Sequence, residues 1–226
     1  MPVGTIEAVV SCAAKAAVDL PDLGVVLVFS EKGTAANLAS KYRPACPILV
    51  VTSSDEVVRH TNTVYAQYPY KLSAPASSAD EAAAVKMALK HAVDTKICRP
   101  GATAVVISGV SSANADLAPK FGITVAPGVY QLPATTAGVQ TVSLRATAIS
   151  LSEVFSPEAP VRKTKIVCTM GPKCWDEDTL GALLDSGMGV ARFNFSHGTH
   201  EARARAPPHG STTPSNALRT SVVTLS

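Results

Sequence analysis

The sequence predicts an α/β fold in which a doubly wound, largely parallel sheet is followed by a second, smaller α/β unit. Continuous β-branched runs of strand length alternate with helical patterns, and such runs are typical of parallel strands buried on both faces. The alternation favours βαβ units packed into one sheet. The chain has 226 residues, of which 46% are hydrophobic, so it is long enough to bury at least one core of ordinary domain size.

The first unit, expected over residues 1–130, begins with a helix and continues as alternating strands and helices. Apolar residues recur at helical spacing over residues 5–17, and Thr5 is available as the N-cap. The expected strands are 24–30, 47–52, 63–71, 102–109 and 122–127, and the helices between them are 33–42, 55–62 and 79–95. Residues 25–29, 48–51 and 105–107 are expected to form the buried centre of the sheet, and Pro127 marks the last strand as an edge strand.

A second βαβ unit is expected over residues 162–203, after a linker at 131–161 that lacks periodicity. Its predicted elements are a strand at 165–169, a helix at 178–186 and a strand at 189–195. Asp176 is placed to cap the helix, and Gly187 stands where a glycine commonly ends one. Residues 204–226 are rich in Pro, Ser, Thr, Ala and Arg and are predicted to be a disordered tail.

Charge, cysteine content and hydropathy exclude several classes of protein. The net charge is +3, and the charges are spread without a long run of one sign, so binding to nucleic acid is not indicated. The five cysteines form no CxxC pair, which fits neither a disulfide scaffold nor a zinc site and favours a reducing compartment. Glu7 and Lys15 interrupt the first apolar stretch, so it resembles neither a signal peptide nor a membrane span. We expect a cytoplasmic protein.

The last predicted strand carries a row of polar side chains that suits an anion and a cation. Alternate residues of a strand share a face, so Arg192, Asn194 and Ser196 project together while the residues between them pack behind. The Arg192 guanidinium offers paired donors to a phosphate or carboxylate, and the oxygens of Asn194 and Ser196 suit a hard cation. On spacing alone, an edge strand with a solvated polar face is an equal alternative.

Two stretches carry a family resemblance: Arg-Lys-Thr-Lys-Ile-Val-Cys-Thr-Met-Gly-Pro at 162–172, and Leu-Asp-Ser-Gly-Met-Gly-Val-Ala-Arg-Phe-Asn-Phe-Ser-His-Gly-Thr-His-Glu at 184–201. Together they resemble the beginning of the catalytic (β/α)₈ barrel of pyruvate kinase. The resemblance implies that Arg192 contacts a nucleotide or substrate phosphate. It also implies that Asn194 and Ser196 ligate potassium and that His197 lies by the nucleotide. Taken alone, His197 is better interpreted as a loop histidine satisfied by backbone groups.

The first 130 residues resemble the carboxyl-terminal α/β domain of the same family. The resemblance rests on the segments at 13–17, 25–30, 40–44, 47–52 and 104–109. It implies that regulatory sugar phosphates bind in the turn after the first strand, where a helix N-terminus offers free N–H groups to an anion. The possible effector phosphate turn comprises Ser30, Lys32, Gly33 and Thr34. Because Glu31 would repel a phosphate and the later loop at 110–114 holds neither Trp nor Arg, an ordinary βα connection is the alternative.

As a function, the resemblance implies phosphoryl transfer from phosphoenolpyruvate to ADP, giving pyruvate and ATP in glycolysis, with Mg²⁺ and K⁺ as cofactors. It also implies association as a homo-oligomer or with other pyruvate kinase copies. The two domains occur in inverted order, as they would at the junction of a tandem fusion, so the chain is interpreted as an incomplete piece of such an enzyme. No segment matches the Lys-x-Glu, aspartate and Asp-Thr elements that hold magnesium, the substrate and potassium, so we expect the chain alone to be inactive.

Two other interpretations stay open. The chain could be a non-catalytic module for oligomerisation or metabolite binding, or an unrelated nucleotide-binding α/β domain, although a G-x-G-x-x-G fingerprint is missing from the sequence. Residues 164–195 are expected to lack a stable conformation, because two strands cannot close a barrel and their edges would be unpaired. If this segment docks on the first domain or on a partner chain, we no longer expect it to be unstable.

Overall fold

The computed structural model describes residues 4–20, 22–110, 112–128, 161–171, 174 and 176–193. The helices are α1 (Thr5–Asp19), α2 (Thr34–Lys41), α3 (Asp55–Thr61), α4 (Glu81–Asp94) and α5 (Glu177–Asp185). The strands are β1 (Leu23–Phe29), β2 (Ile48–Thr52), β3 (Gln67–Lys71), β4 (Thr103–Gly109), β5 (Pro119–Val125), β6 (Val167–Met170) and β7 (Val190–Phe193). The predicted linker up to residue 160, the residues from 194 onward and the predicted tail lie outside the described residues.

The first unit is a five-stranded sheet in the order β3-β2-β1-β4-β5. Strands β1 to β4 are parallel, and β5 runs antiparallel to β4 at one edge. Helices α1, α2 and α3 contribute to the core on one face of the sheet, and α4 covers the other face, as in a doubly wound fold. Buried alanines on α2 and α4 bring these helices close to the strands.

The three strands predicted as the buried centre of the sheet are confirmed. Leu27, Leu49 and Val105 are each fully buried, and their neighbours in β1, β2 and β4 are almost equally so. A strand covered on both faces needs apolar side chains on both, which explains why these runs do not alternate with polar residues.

Several boundaries differ from the sequence-based expectation. The N-cap of α1 is Gly4, whose carbonyl accepts the Ala8 N–H, so Thr5 already lies inside the helix. Strand β3 begins at Gln67, because Ala66 adopts a left-handed conformation with φ of 61° that an extended strand cannot include. Strand β5 begins at Pro119, three residues before the predicted start at residue 122.

The second unit consists of the parallel pair β6 and β7 joined through α5. Both predicted end signals of α5 are confirmed: the Asp176 carboxylate accepts the Thr179 N–H at 2.8 Å, and Gly187 ends the helix with a φ of 104°. Buried Met170, Leu180, Met188 and Ala191 form a small core between the helix and the strands.

Residues 162–165, here called the lead-in segment, lie against the start of β3. The Ala66 N–H donates to the Lys163 carbonyl at 2.8 Å. The Tyr68 hydroxyl donates to the Arg162 carbonyl. The second unit is therefore joined to the first by hydrogen bonds at a sheet edge.

Two lysines of the lead-in segment extend this contact. The Lys163 ammonium donates to the Ala45 carbonyl and the Lys165 amine donates to the Gln67 carbonyl, each at 2.5 Å. The second unit therefore docks on the first domain, which is the condition under which residues 164–195 are not expected to be unstable.

Candidate functional site

Arg192 lies in β7, opposite Thr169 of β6 in the strand register. Its guanidinium donates to the Thr169 hydroxyl at 3.3 Å and is exposed, whereas the neighbouring Ala191 is buried. Val190, which shares a face of the strand with Arg192, is buried as well, so the exposed part of that face begins at Arg192. No ion pair within the described part of the chain involves Arg192. A guanidinium can donate several hydrogen bonds to a phosphate or carboxylate.

The other residues predicted for this site, Asn194, Ser196 and His197, lie outside the described residues. The potassium and nucleotide roles assigned to them therefore stay predictions. Within the described ranges, no group of three or more His, Cys, Asp or Glu side chains could hold a metal ion. The described residues therefore offer no cluster of this kind to the magnesium that the family resemblance implies.

The predicted effector turn connects β1 to α2. Ser30 is fully buried at the end of β1, and Gly33 caps α2 with a φ of 79°, a left-handed conformation that favours glycine. The Lys32 and Thr34 side chains are exposed. The turn thus leads into the N-terminus of α2, and a helix N-terminus favours an anion.

A carboxylate of the chain itself fills this turn. Asp116, which is only 6% exposed, accepts the Ser30 hydroxyl at 2.7 Å and the Ala35 N–H at 2.9 Å through Oδ1. Its Oδ2 accepts the Lys32 N–H at 2.8 Å. Both carboxylate oxygens are therefore bound by the groups that would face a phosphate. The binding of a regulatory phosphate in this turn stays a prediction.

The neighbouring polar groups of the turn are also satisfied within the chain. The Asn114 side-chain oxygen accepts the Glu31 N–H at 3.3 Å and the Asp116 N–H at 3.1 Å. The Glu31 carboxylate accepts the Ser53 hydroxyl at 2.7 Å and the Ser53 N–H at 3.0 Å. Glu31 is thus held by the β2–α3 connection, an arrangement that the sequence does not reveal.

Sequence reasoning missed Asp116, Asn114 and Thr169. The one available signal for the first two was their position in the loop after β4, because ligands and polar groups gather where the strand order of an open α/β sheet reverses. That reversal lies between β1 and β4 in this sheet.

Each of the two units matches a known protein family model. A family model described as the pyruvate kinase alpha/beta domain matches residues 7–118, and one described as the pyruvate kinase barrel domain matches residues 161–211. The chain belongs to the pyruvate kinase family. Its fold is accordingly a pyruvate kinase carboxyl-terminal α/β domain followed by a partial barrel piece, which is what the sequence predicts.

Curated pyruvate kinases share short, similar segments with the chain. The enzyme of Eimeria tenella is 48% identical over 65 residues, which is 27% of this chain and 12% of the relative. That of Chlamydia muridarum is 56% identical over 45 residues, or 20% of this chain and 9% of the relative. The alignments therefore span about a tenth of these relatives.

Solved structures of pyruvate kinase show a similar partial overlap. One from Cryptosporidium parvum is 26% identical, with a TM-score of 0.49, over 56% of this chain and 23% of the other. Another, in complex with ADP, is 24% identical, with a TM-score of 0.47, over 56% of this chain and 24% of the other.

Proposed function

We propose that the chain works as part of a pyruvate kinase, which transfers a phosphoryl group from phosphoenolpyruvate to ADP and yields pyruvate and ATP in glycolysis. The observation that carries the proposal is the presence of both family domains, with exposed Arg192 on β7 in the barrel piece. Phosphoryl transfer depends mainly on positioning and charge neutralisation, so an exposed guanidinium is the kind of group that it needs.

In this proposal, Arg192 binds a phosphate of the nucleotide or the substrate. Asn194 and Ser196 ligate potassium, and His197 lies by the nucleotide. The exposure of Arg192 and its bond to a neutral hydroxyl support its role, because within the described residues the side chain can turn to an anion without breaking an ion pair. Magnesium would be held by residues outside this chain.

The domain order supports a tandem arrangement. We divide the chain into the α/β domain at 1–130, a linker at 131–161, the barrel piece at 162–203 and a tail at 204–226. The α/β domain would end one kinase copy, and the barrel piece would begin the next. Sequencing the messenger RNA of this cytoplasmic protein tests the tandem arrangement. We expect it to encode further pyruvate kinase sequence both before the α/β domain and after the barrel piece. If it does not, the tandem interpretation is wrong.

The role of Arg192 can be tested in a chimera in which residues 162–203 replace the matching segment of a complete pyruvate kinase. We expect the chimera to form pyruvate in a coupled assay, and Arg192→Ala to reduce its turnover by roughly 10²–10³-fold, as removal of a preorganised charge donor does. Glu177→Gln, at an exposed position in the first turn of α5, is the matched control and should leave turnover unchanged. Full turnover by the Arg192→Ala chimera would contradict the proposal.

A second candidate function, a non-catalytic module, is favoured by the open edge of the sheet at β5. Within the described residues, β5 pairs only with β4, and it exposes Phe121 by 40%, Ile123 by 56% and Val125 by 60%. A long edge strand with exposed apolar side chains is suited to pairing with another chain. Association with a second copy or with another kinase copy is the partner that this edge supports.

Metabolite binding is the other form of this second candidate. A groove of about 1010 Å³ lies between α4 and β5 and is lined largely by apolar side chains, among them Val85, Leu89 and Ile123. Lys86, Lys90, Glu81 and Asp94 also line it, so both signs of charge border the groove. A ligand with an apolar body and a polar end would suit this chemistry. None of the helices in the described part of the chain is long and apolar enough to cross a membrane.

A further inference from the structure

We infer that Asp116 is a built-in anion, which occupies the turn between β1 and α2 in place of a free phosphate and locks the α/β domain without an effector. The inference concerns the regulation of this domain and does not depend on phosphoryl transfer by the chain. It rests on the groups that surround Asp116 and on the loop that carries it.

The surroundings of Asp116 are those of a bound anion. The first N–H groups of a helix have no partner inside the helix, and the partial positive charge at that end favours an anion. Here the Lys32 and Ala35 N–H groups and the Ser30 hydroxyl all donate to the Asp116 carboxylate, at 2.7–2.9 Å. The buried Asp116 carboxylate thus takes up the three donors with which the turn would bind an external anion.

The loop that carries Asp116 is fixed at its base. A Cβ added at Gly109 would lie 2.1 Å from the Asn114 carbonyl oxygen and 2.2 Å from the Ser112 carbonyl oxygen, so only glycine permits this close approach. Ala113 and Ala115 are buried, and the Ala115 N–H donates to the Phe29 carbonyl at 2.9 Å. The backbone that carries Asp116 is therefore held beside the turn.

These contacts fill the crevice where ligands commonly bind in an open α/β sheet, at the carboxyl ends of β1 and β4. An external phosphate would have to displace the Asp116 carboxylate and approach the Glu31 carboxylate, which lies in the same turn. Asp116 thus acts as an autoinhibitory contact against phosphorylated effectors, and the domain holds its locked form in their absence.

Thermal unfolding in matched chloride, formate and phosphate solutions tests the inference on the whole chain. Asp116→Ala should lower the unfolding temperature by about 5–10 °C in chloride, because charge-assisted hydrogen bonds are lost. Formate and phosphate should restore part of that loss by occupying the emptied turn. Because the salts also act generally on protein stability, each protein is compared with itself in chloride. The measured quantity is the rise in unfolding temperature of the variant minus the rise in unfolding temperature of the natural chain. Glu56→Ala, which removes an exposed carboxylate in the first turn of α3, should show no such excess.

A titration of the natural chain with inorganic phosphate, followed by the amide NMR signals of Lys32 and Ala35, gives an answer even if Asp116→Ala fails to fold. We expect no saturable shift of either signal. A saturable shift in the natural chain would overturn the inference. So would a folded Asp116→Ala variant that unfolds at the natural temperature, or one that gains nothing extra from formate and phosphate.

Discussion

At the scale of single residues, Lys165 brings an amine into the contact between the lead-in segment and β3. The amine donates to the Gln67 carbonyl and lies 3.9 Å from the centre of the Tyr68 ring. Burial lowers the pKa of Lys165 to about 8, and burial also raises the pKa of Tyr68 to about 12. Tyr68 therefore keeps its proton at any pH where Lys165 changes charge.

The docking of the lead-in segment should strengthen as the solution becomes more alkaline. The ordinary pKa of a lysine is 10.5, so between about pH 8 and 10.5 the undocked amine binds a proton that the docked amine does not. The cost of burying the charged amine is present in full below pH 8 and is relieved across that window, because the docked amine loses its proton there. We expect the unfolding temperature of the natural chain, relative to Lys165→Met, to rise from pH 7.5 to pH 9.5. A constant difference would contradict the burial of this amine.

Gly33 is a residue whose backbone conformation restricts what can replace it. Its φ of 79° is costly for residues with a Cβ, so Gly33→Ala should lower the free energy of unfolding by about 1–2 kcal/mol. Gly122→Ala is the control, because nothing lies within 4 Å of an added Cβ there and its φ is ordinary. Urea unfolding of the two variants checks this, and equal midpoints would show that the turn tolerates a side chain.

How far single residues could be predicted from the sequence depends on the range of their contacts. Asp176 and Gly187 were predicted correctly, because capping involves partners only a few residues away. Asp116 was not, because it binds groups that precede it by 81 to 86 residues. Nothing in the local pattern of an aspartate in a loop indicates a partner that distant.

At the scale of elements, the open edge of β5 predicts that chains associate by pairing along this strand. Ile123→Lys places a charge on an exposed apolar edge, which should weaken strand pairing between chains. Size-exclusion chromatography with light scattering should show a smaller assembly for Ile123→Lys than for the natural chain. Met87→Lys, at an exposed apolar position on α4, is the control and should leave the assembly unchanged. Identical masses for all three proteins would remove the oligomerisation module as a candidate.

The elements were predictable where burial fixes the pattern. Strands β1, β2 and β4 show continuous apolar runs because they are covered on both faces. Strand β5 has no such run, since most of its residues are exposed, and its antiparallel direction follows from the short connection after β4 rather than from its composition.

At the scale of the whole molecule, the two units should differ in resistance to proteolysis. Strands β6 and β7 pair only with each other among the described residues, so their outer edges are open, and Arg192 is exposed. Lys163 and Lys165 are engaged with the first unit. We expect limited trypsin digestion to cut near Arg192 well before it cuts within residues 4–128. Equal resistance of both units would show that the barrel piece is packed as firmly as the sheet.

The joining of the two units was the least predictable feature of the molecule. The sequence predicts the barrel piece as a βαβ unit with a capped helix, but the docking of Lys163 and Lys165 depends on carbonyls of Ala45 and Gln67 about a hundred residues earlier. The second unit is consequently less isolated than its missing barrel neighbours suggest.

Pyruvate formation by the purified chain, with phosphoenolpyruvate, ADP, Mg²⁺ and K⁺, tests most directly whether phosphoryl transfer needs the rest of the barrel. The sequence holds no Lys-x-Glu, and no group of three or more His, Cys, Asp or Glu side chains among the described residues could hold a metal ion. The account predicts no turnover above a matched preparation from host cells that lack the chain. Turnover that depends on both ions and follows the chain through purification would contradict it.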